Sequence, residues 1–202
     1  LSEGGNIRDL GAYIDLNRVQ LLLSPFAWSV VFLAIISVLY ISSGFLTFYA
    51  SKAKDKPAYH LTRQWHIFWH PPMIVISLFV FLSLRIQNAD HFNNAVFNYW
   101  WMFVISFIFF LIAGALTILK INHGLAFVMV ILQMFFAFFG YGMSKLPFLL
   151  HPFVKITGSH VNPEMGLALV IAFILGLLLL IPSLILLLRL FVFDKEYVEG
   201  KK

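Results

Sequence analysis

Five long apolar runs, separated by short polar stretches, set the pattern of this chain. The last run is the purest: residues 165–188 read MGLALVIAFILGLLLLIPSLILLL, without one ionisable side chain. A helix rises about 1.5 Å per residue, so roughly 20 apolar residues cross a hydrocarbon core of about 30 Å. The other runs lie at about 26–50, 65–86, 99–119 and 124–143. The runs are continuous rather than alternating, which excludes a transmembrane barrel. The pattern predicts an all-α, polytopic membrane protein with five transmembrane helices in a single membrane domain over residues 1–202.

Local signals place the ends of these helices. Ser24-Pro25 is a helix start, because Ser can cap and Pro at the first helical position has no N–H to leave unpaired. Residues 1–24 are polar, lack the apolar core of a signal peptide, and read as a loop with one short amphipathic turn near 19–23. Residues 51–64 read as a basic loop and 85–98 as a polar one. Pro71 and Pro72 leave two options for the second span: a membrane helix that begins at Pro71, or one longer helix kinked there. Tyr99, Trp100 and Trp101 form an interfacial aromatic belt. The tight Lys120-Ile121-Asn122-His123 connection makes spans three and four antiparallel neighbours. Residues 144–164, with Pro147, Pro152 and Pro163, form a loop long enough for a packing or binding role.

Composition agrees with the pattern. The 202 residues are 61% hydrophobic and 11% charged, against about 45–50% and 25% in soluble domains; mean hydropathy is +0.90. The net charge of +5 reads as basic loops on one side of a membrane rather than a nucleic-acid surface, and no nucleic-acid partner is expected. Five Lys and Arg fall on the side of residues 1–24 and nine on the side of the 51–64 stretch and the C-terminus. The positive-inside rule therefore puts the C-terminus in the cytoplasm and the 144–164 loop outside. The absence of cysteine removes disulfides, thiolate metal sites and iron–sulfur clusters from this chain.

Candidate chemistry is sparse. The span centres lack Asp, Glu, Lys, Arg and His, whereas ion and proton paths need ionisable groups within the membrane. His60, His66, His70 and His123 group towards one face, and His91, His151 and His160 towards the other. His66 and His70 stand at i,i+4, a spacing that could present a metal or haem ligand pair. With Trp65 and Trp69 beside them, and no carboxylate or cysteine, they read as interfacial histidines. Gln133 reads as an interhelical hydrogen-bonding residue. Phe107, Phe109, Phe110, Phe127, Phe135, Phe136, Phe138 and Phe139 read as lipid-facing bulk and packing, and Gly114-Ala115, Gly140 and Gly142 as close helix contacts. No catalytic, cofactor-binding or metal residue is assigned, and no phosphate loop, catalytic triad or carboxylate pair is present in the sequence.

Several ordered stretches carry a resemblance. Trp28-Ser29-Val30-Val31, Ser37-Val38-Leu39-Tyr40-Ile41-Ser42 and Phe45-Leu46-Thr47-Phe48-Tyr49-Ala50 resemble the fifth membrane helix of subunit II of cytochrome bd-type quinol oxidases, in the bacillus-type branch. Trp101 to Phe107, then Ala137-Phe138-Phe139-Gly140-Tyr141-Gly142 with Ser144, Pro147, Leu149, Leu150 and Pro152, resemble later parts of that subunit. Ile181-Pro182-Ser183-Leu184 with Leu188-Arg189-Leu190-Phe191 is similar to its C-terminus, and Ser2-Glu3-Gly4-Gly5 to the loop after its fourth helix. The resemblance implies the C-terminal half of a nine-helix subunit, in keeping with a start at Leu1 rather than Met.

It also implies a bacterial cell-membrane enzyme complex that oxidises quinol and reduces oxygen to water. Haem b and haem d are expected in the partner, the haem-bearing subunit I, and none in this chain. Membrane lipid, and optionally quinone, complete the expected partners. The alternatives are a membrane scaffold or assembly protein without redox activity, and part of a transporter; the empty span centres argue against the latter.

Overall fold

The computed structural model describes residues 7–9, 14–16, 22–151, 154–155 and 163–188. Ser24 caps the first helix, α1 (Pro25–Ala53), accepting from Ala27 N at 3.3 Å with Pro25 at the first helical position. Its inward row is Phe26, Ser29, Ser37, Tyr40, Ser43, Gly44, Thr47 and Ala50. Its outward positions include Val31, Ile35, Val38 and Leu46. Small and hydroxylic residues therefore face the neighbouring helix and large apolar ones face out, as a lipid-immersed helix requires.

The second helix, α2, is one element from Lys56 to Gln87 that carries Pro71 and Pro72 inside it. The basic stretch expected as a loop over 51–64 shrinks to a turn. Lys54 is left-handed at φ 59°, and Asp55 accepts from Ala58 N at 3.0 Å to start α2. The polar 85–98 stretch is likewise not a loop: it contains α3 (Ala89–Phe97). Asn88 joins the two, its N–H donating to Leu84 O and its side chain accepting from His91 N at 3.1 Å. A polar run reads as a loop by composition, but a capped nine-residue helix lying among the span ends satisfies the same composition.

Helix α4 (Trp100–Ile118) and helix α5 (His123–Lys145) are the antiparallel pair expected from the tight connection. Lys120 and Asn122 take positive φ there, and the Asn122 side chain accepts from Leu125 N at 3.2 Å. Arg63 of α2 donates to Thr117 O at 2.9 Å and Ile118 O at 2.8 Å, supplying partners for carbonyls at the end of α4. A core of Tyr40, Met73, Phe110, Ala113, Val130 and Met134 draws on α1, α2, α4 and α5.

Within the long polar stretch after α5, β3 (Phe148–Leu150) and β4 (Val154–Lys155) pair antiparallel. Nearer the N-terminus β1 (Ile7–Asp9) and β2 (Ile14–Leu16) do the same. These short ribbons lie outside the helices and leave the architecture all-α.

Two compact units divide the chain, Leu1–Thr157 and Gly158–Lys202. The second holds α6 (Pro163–Leu188), with Pro182 inside it and apolar side chains exposed along its length. Among the described residues five helices are long and apolar enough to cross a membrane, which makes the chain a multi-pass membrane protein.

Arg63→Ala removes both donors to the end of α4. We expect it to destabilise the detergent-solubilised protein by about 1–3 kcal/mol, in proportion to the loss of charge-assisted hydrogen bonds. A lowered midpoint in thermal unfolding would register the loss, and an unchanged midpoint would show that the carbonyls find other partners.

Candidate functional site

Many of the polar residues of α1 and α2 are gathered on one seam. Along the antiparallel α1–α2 interface, Ser24 donates to Gln87 Oε1 at 3.3 Å, and the hydroxyls of Ser29 and Ser83 meet at 2.9 Å. Ser37 donates to Met73 Sδ at 3.9 Å. Tyr40 Oη and His70 Nε2 are 3.4 Å apart, and Ser43 Oγ lies 3.2 Å from His66 Nδ1. From Ser24 to Ser43 the seam extends about 28 Å along α1, close to the thickness of a hydrocarbon core.

His66 and His70 form its densest part. His66 is only 1% exposed, so it packs against the neighbouring helix rather than facing outward. Helix α2 begins nine residues before Trp65, at Lys56, so both histidines lie within the helix. Donor logic assigns the tautomers. His70 Nδ1 lies 2.8 Å from His66 O, and a carbonyl can only accept, so Nδ1 carries the proton and Nε2 accepts from Tyr40. Ser43 uses its hydroxyl proton on Tyr40 O at 2.9 Å, so His66 Nδ1–H is shared between Tyr40 O and Ser43 Oγ, each at 3.2 Å.

Rings close the cluster. Tyr40 stacks on His66 with centroids 4.8 Å apart, His70 meets Tyr40 edge-on at 4.9 Å, and Phe110 stands 5.1 Å from His70. A Cβ at Gly44 would come within 3.0 Å of the His66 ring, and one at Gly114 within 3.1 Å of the His70 ring. Both glycines make room for an imidazole on the facing helix.

The i,i+4 pair therefore does not converge on an open position. With His70 Nε2 engaged by Tyr40 and rings packed against both imidazoles, the residues do not fit a haem ligand pair. Among the described residues no group of three His, Cys, Asp or Glu could hold a metal ion.

The remaining candidates distribute as follows. Gln133 is buried at 5% exposure, but its interhelical bond runs through its backbone carbonyl, which accepts from Ser106 Oγ at 2.8 Å. Its side-chain Oε1 finds no partner among the described residues. Phe110 belongs to the core, whereas Phe107, Phe135, Phe138 and Phe139 are exposed, as lipid-facing bulk should be. A Cβ at Gly140 would meet Met102 at 3.1 Å and Phe103 at 3.2 Å, whereas one at Gly142 would meet nothing within 4 Å among the described residues, so no close approach requires glycine there. His123 Nε2 lies 3.0 Å from Tyr59 Oη, which ties α2 to α5.

His91 and His151 meet at the opposite end, where both line one cavity with Asp90, Lys145 and Phe148. Sequence reasoning missed this cavity, and also missed that Tyr40 completes the histidine pair. The signal for the second was present in the i,i+3 row Ser37, Tyr40, Ser43. His160, Arg189 and the first residues of the chain lie outside the described residues.

Residues 2–191 match the family model described as cytochrome bd terminal oxidase subunit II. A Bacillus subtilis (strain 168) protein assigned as a cytochrome bd menaquinol oxidase subunit II is 27% identical over 210 residues, covering 100% of this chain and 60% of that protein. A chain in the solved structure of the bd oxidase from Geobacillus thermodenitrificans is similar at 44% identity with a TM-score of 0.77. That match covers 96% of this chain and 58% of the solved one. The chain thus spans about three-fifths of the length of either relative.

The two glycine environments make a paired test. Gly114→Ala, against the His70 ring, is expected to destabilise by about 1–3 kcal/mol through overpacking, while Gly142→Ala should be neutral or gain up to about 1 kcal/mol of helix propensity. Equal thermal midpoints for the two variants would refute the packing account. Gln133→Met removes a buried oxygen without a partner and keeps the volume, so the midpoint should hold or rise by the equivalent of about 1 kcal/mol. A clear fall would mean that Oε1 is engaged in the assembled protein.

Proposed function

The chain belongs to the cytochrome bd terminal oxidase subunit II family, and from that membership we propose that it is the C-terminal five-helix part of the non-haem subunit of such an oxidase. The observation that carries this reading is the family match over residues 2–191. The 44% identity to a bd oxidase chain, sustained over 96% of this one, supports it.

In this reading the complex oxidises quinol and reduces oxygen to water. Haem b and haem d belong to the haem-bearing subunit I, and this chain supports that subunit's assembly and stability. The name of the Bacillus relative makes menaquinol the quinol to assay first. The five spans form one membrane domain in the bacterial cell membrane, with the C-terminus in the cytoplasm. The outward rows of α1, α2, α4 and α5, and the length of α6, supply apolar surface for lipid and for the partner subunit.

The internal chemistry of the chain agrees with a packing role. His66, His70 and Tyr40 are engaged with one another and with helix carbonyls. No residue of this chain is assigned to the reaction itself, and the redox groups are those of the partner.

The test is capture through a C-terminal tag from native membranes in mild detergent, followed by a reduced-minus-oxidised visible spectrum and mass spectrometry. A red-shifted chlorin-type haem band with a co-purifying larger multi-span subunit is the expected result. A colourless eluate containing abundant intact chain would overturn the oxidase reading in favour of a scaffold.

A further inference from the structure

Two connections close the same end of the bundle, and each turns on a lysine. Past the end of α1, the Asp55 N–H donates to Ala50 O at 3.2 Å; past the end of α4, the Ile121 N–H donates to Leu116 O at 3.0 Å. Each bond reaches back five residues and closes its helix through one left-handed residue. That residue is Lys54 in the first connection and Lys120 in the second, both at φ 59°. Glycine or asparagine usually fills such a position, because a Cβ there crowds the following carbonyl. A cation within the last helical turn would serve the helix dipole without that strain, as Lys52 does in α1.

Three contacts set the two connections side by side. Tyr59, in the first turn of α2, meets His123, the first residue of α5, at 3.0 Å. Arg63 of α2 donates to Thr117 O and Ile118 O at the end of α4. The rings of Phe48 on α1 and Phe127 on α5 stack with centroids 6.1 Å apart. Lys52, Lys54, Lys56 and Lys120 are exposed at this end, and among the described residues none of them makes an ion pair. Asp55, the carboxylate between Lys54 and Lys56, is occupied in accepting from Ala58 N at 3.0 Å. The C-termini of α1 and α4, which disfavour an anion, are offset by the N-termini of α2 and α5 beside them.

We propose that these paired lysine turns bind the phosphate of an anionic phospholipid. The charge selects the ligand. A zwitterionic headgroup brings its own cation to the lysines, whereas an anionic one brings phosphate without it. A lysine ammonium on its flexible stem meets phosphate as a point charge. The depth selects a lipid. Helix α1 has 29 residues and is about 43 Å long, against about 30 Å of hydrocarbon and about 40–45 Å with the headgroup layers. A turn at its end therefore lies among lipid phosphates. Leu119 and Ile121, on either side of Lys120 in the sequence, are exposed and offer apolar surface to the acyl chains.

The experiment uses the tagged chain with every subunit it retains, purified from native membranes and delipidated in mild detergent. Native mass spectrometry then follows the binding of phosphatidylglycerol, phosphatidylethanolamine or phosphatidylcholine, added in turn. Wild type should bind phosphatidylglycerol preferentially. Lys54→Gly and Lys120→Gly each remove an ammonium and give the left-handed position the residue that adopts it most freely. Each should weaken phosphatidylglycerol binding about fivefold, and the double variant about 25-fold, as for basic side chains at an anionic surface. The thermal midpoint without lipid should hold or rise in both. Lys54→Arg should keep the binding, and Lys155→Gln, on β4 beyond the far end of α5, should leave it unchanged.

Undiminished phosphatidylglycerol binding in the double variant would overturn the site. Equal binding of phosphatidylethanolamine or phosphatidylcholine by wild type would overturn the selection of net negative charge. Loss of a co-purifying subunit from the double variant, with lipid binding intact, would assign the lysines to an acidic segment of that subunit and overturn the lipid. A lowered midpoint in the glycine variants would show that the lysines serve folding instead.

Discussion

The described bundle depends on the α1–α2 seam. In a lipid environment apolar side chains gain nothing by leaving their surroundings for one another, so helix pairing rests on close packing and on hydrogen bonds that have no competing water. This chain brings several hydroxyls and both imidazoles of α1 and α2 to one interface: Ser29 with Ser83, Tyr40 with His70, Ser43 with His66. Each bond is worth only about 0.6–2 kcal/mol in a membrane. Their common register matters more, because sliding one helix by a turn would leave several polar groups facing hydrocarbon at once.

Other contacts are arranged around that seam. Tyr40 reaches beyond α1–α2 to Phe110 of α4, at 5.8 Å between ring centroids, and so brings the second helical pair to the first. Gly114 supplies the clearance for His70 at the same level. At one end of the bundle Arg63 and Tyr59 of α2 hold the α4–α5 connection. At the other, Asn94 and His91 of α3 hold the last turn of α5. Polar side chains thus serve mainly to satisfy helix ends and to fix helix register.

The difference between the two ends is chemical. The Arg63 end places a cation on carbonyls, a closed arrangement in which donors and acceptors match. The α3 end brings Asp90, Lys145 and His151 to the lining of one cavity, with Asp90 Oδ2 3.6 Å from His151 Nε2. The contrast follows from α3 itself. Its nine residues lie among the span ends and hold Asp90, His91 and Asn94 against the end of α5.

Much of the fold was legible in the linear pattern. Uninterrupted apolar length shows which segments can cross a membrane, because the hydrocarbon thickness is fixed and the helical rise is constant. The Ser24-Pro25 start and the tight turn before His123 were legible for equally local reasons: a cap and a short connection are properties of adjacent residues. The extent of α2 through Pro71 and Pro72, and the helical state of the Asn-rich 89–97 segment, were not, because neighbouring helices stabilise what local propensity leaves open. The site divides in the same way. The sequence by itself determined that His66 and His70 share a helical face, since that is a matter of spacing. Only the tertiary structure decided that this face turns inward onto Tyr40, that Gln133 bonds through its carbonyl, and that Asp90 and Lys145 share a cavity. Those facts belong to pairs of residues on different helices, and the rotation of one helix against another is set by packing that no single segment contains.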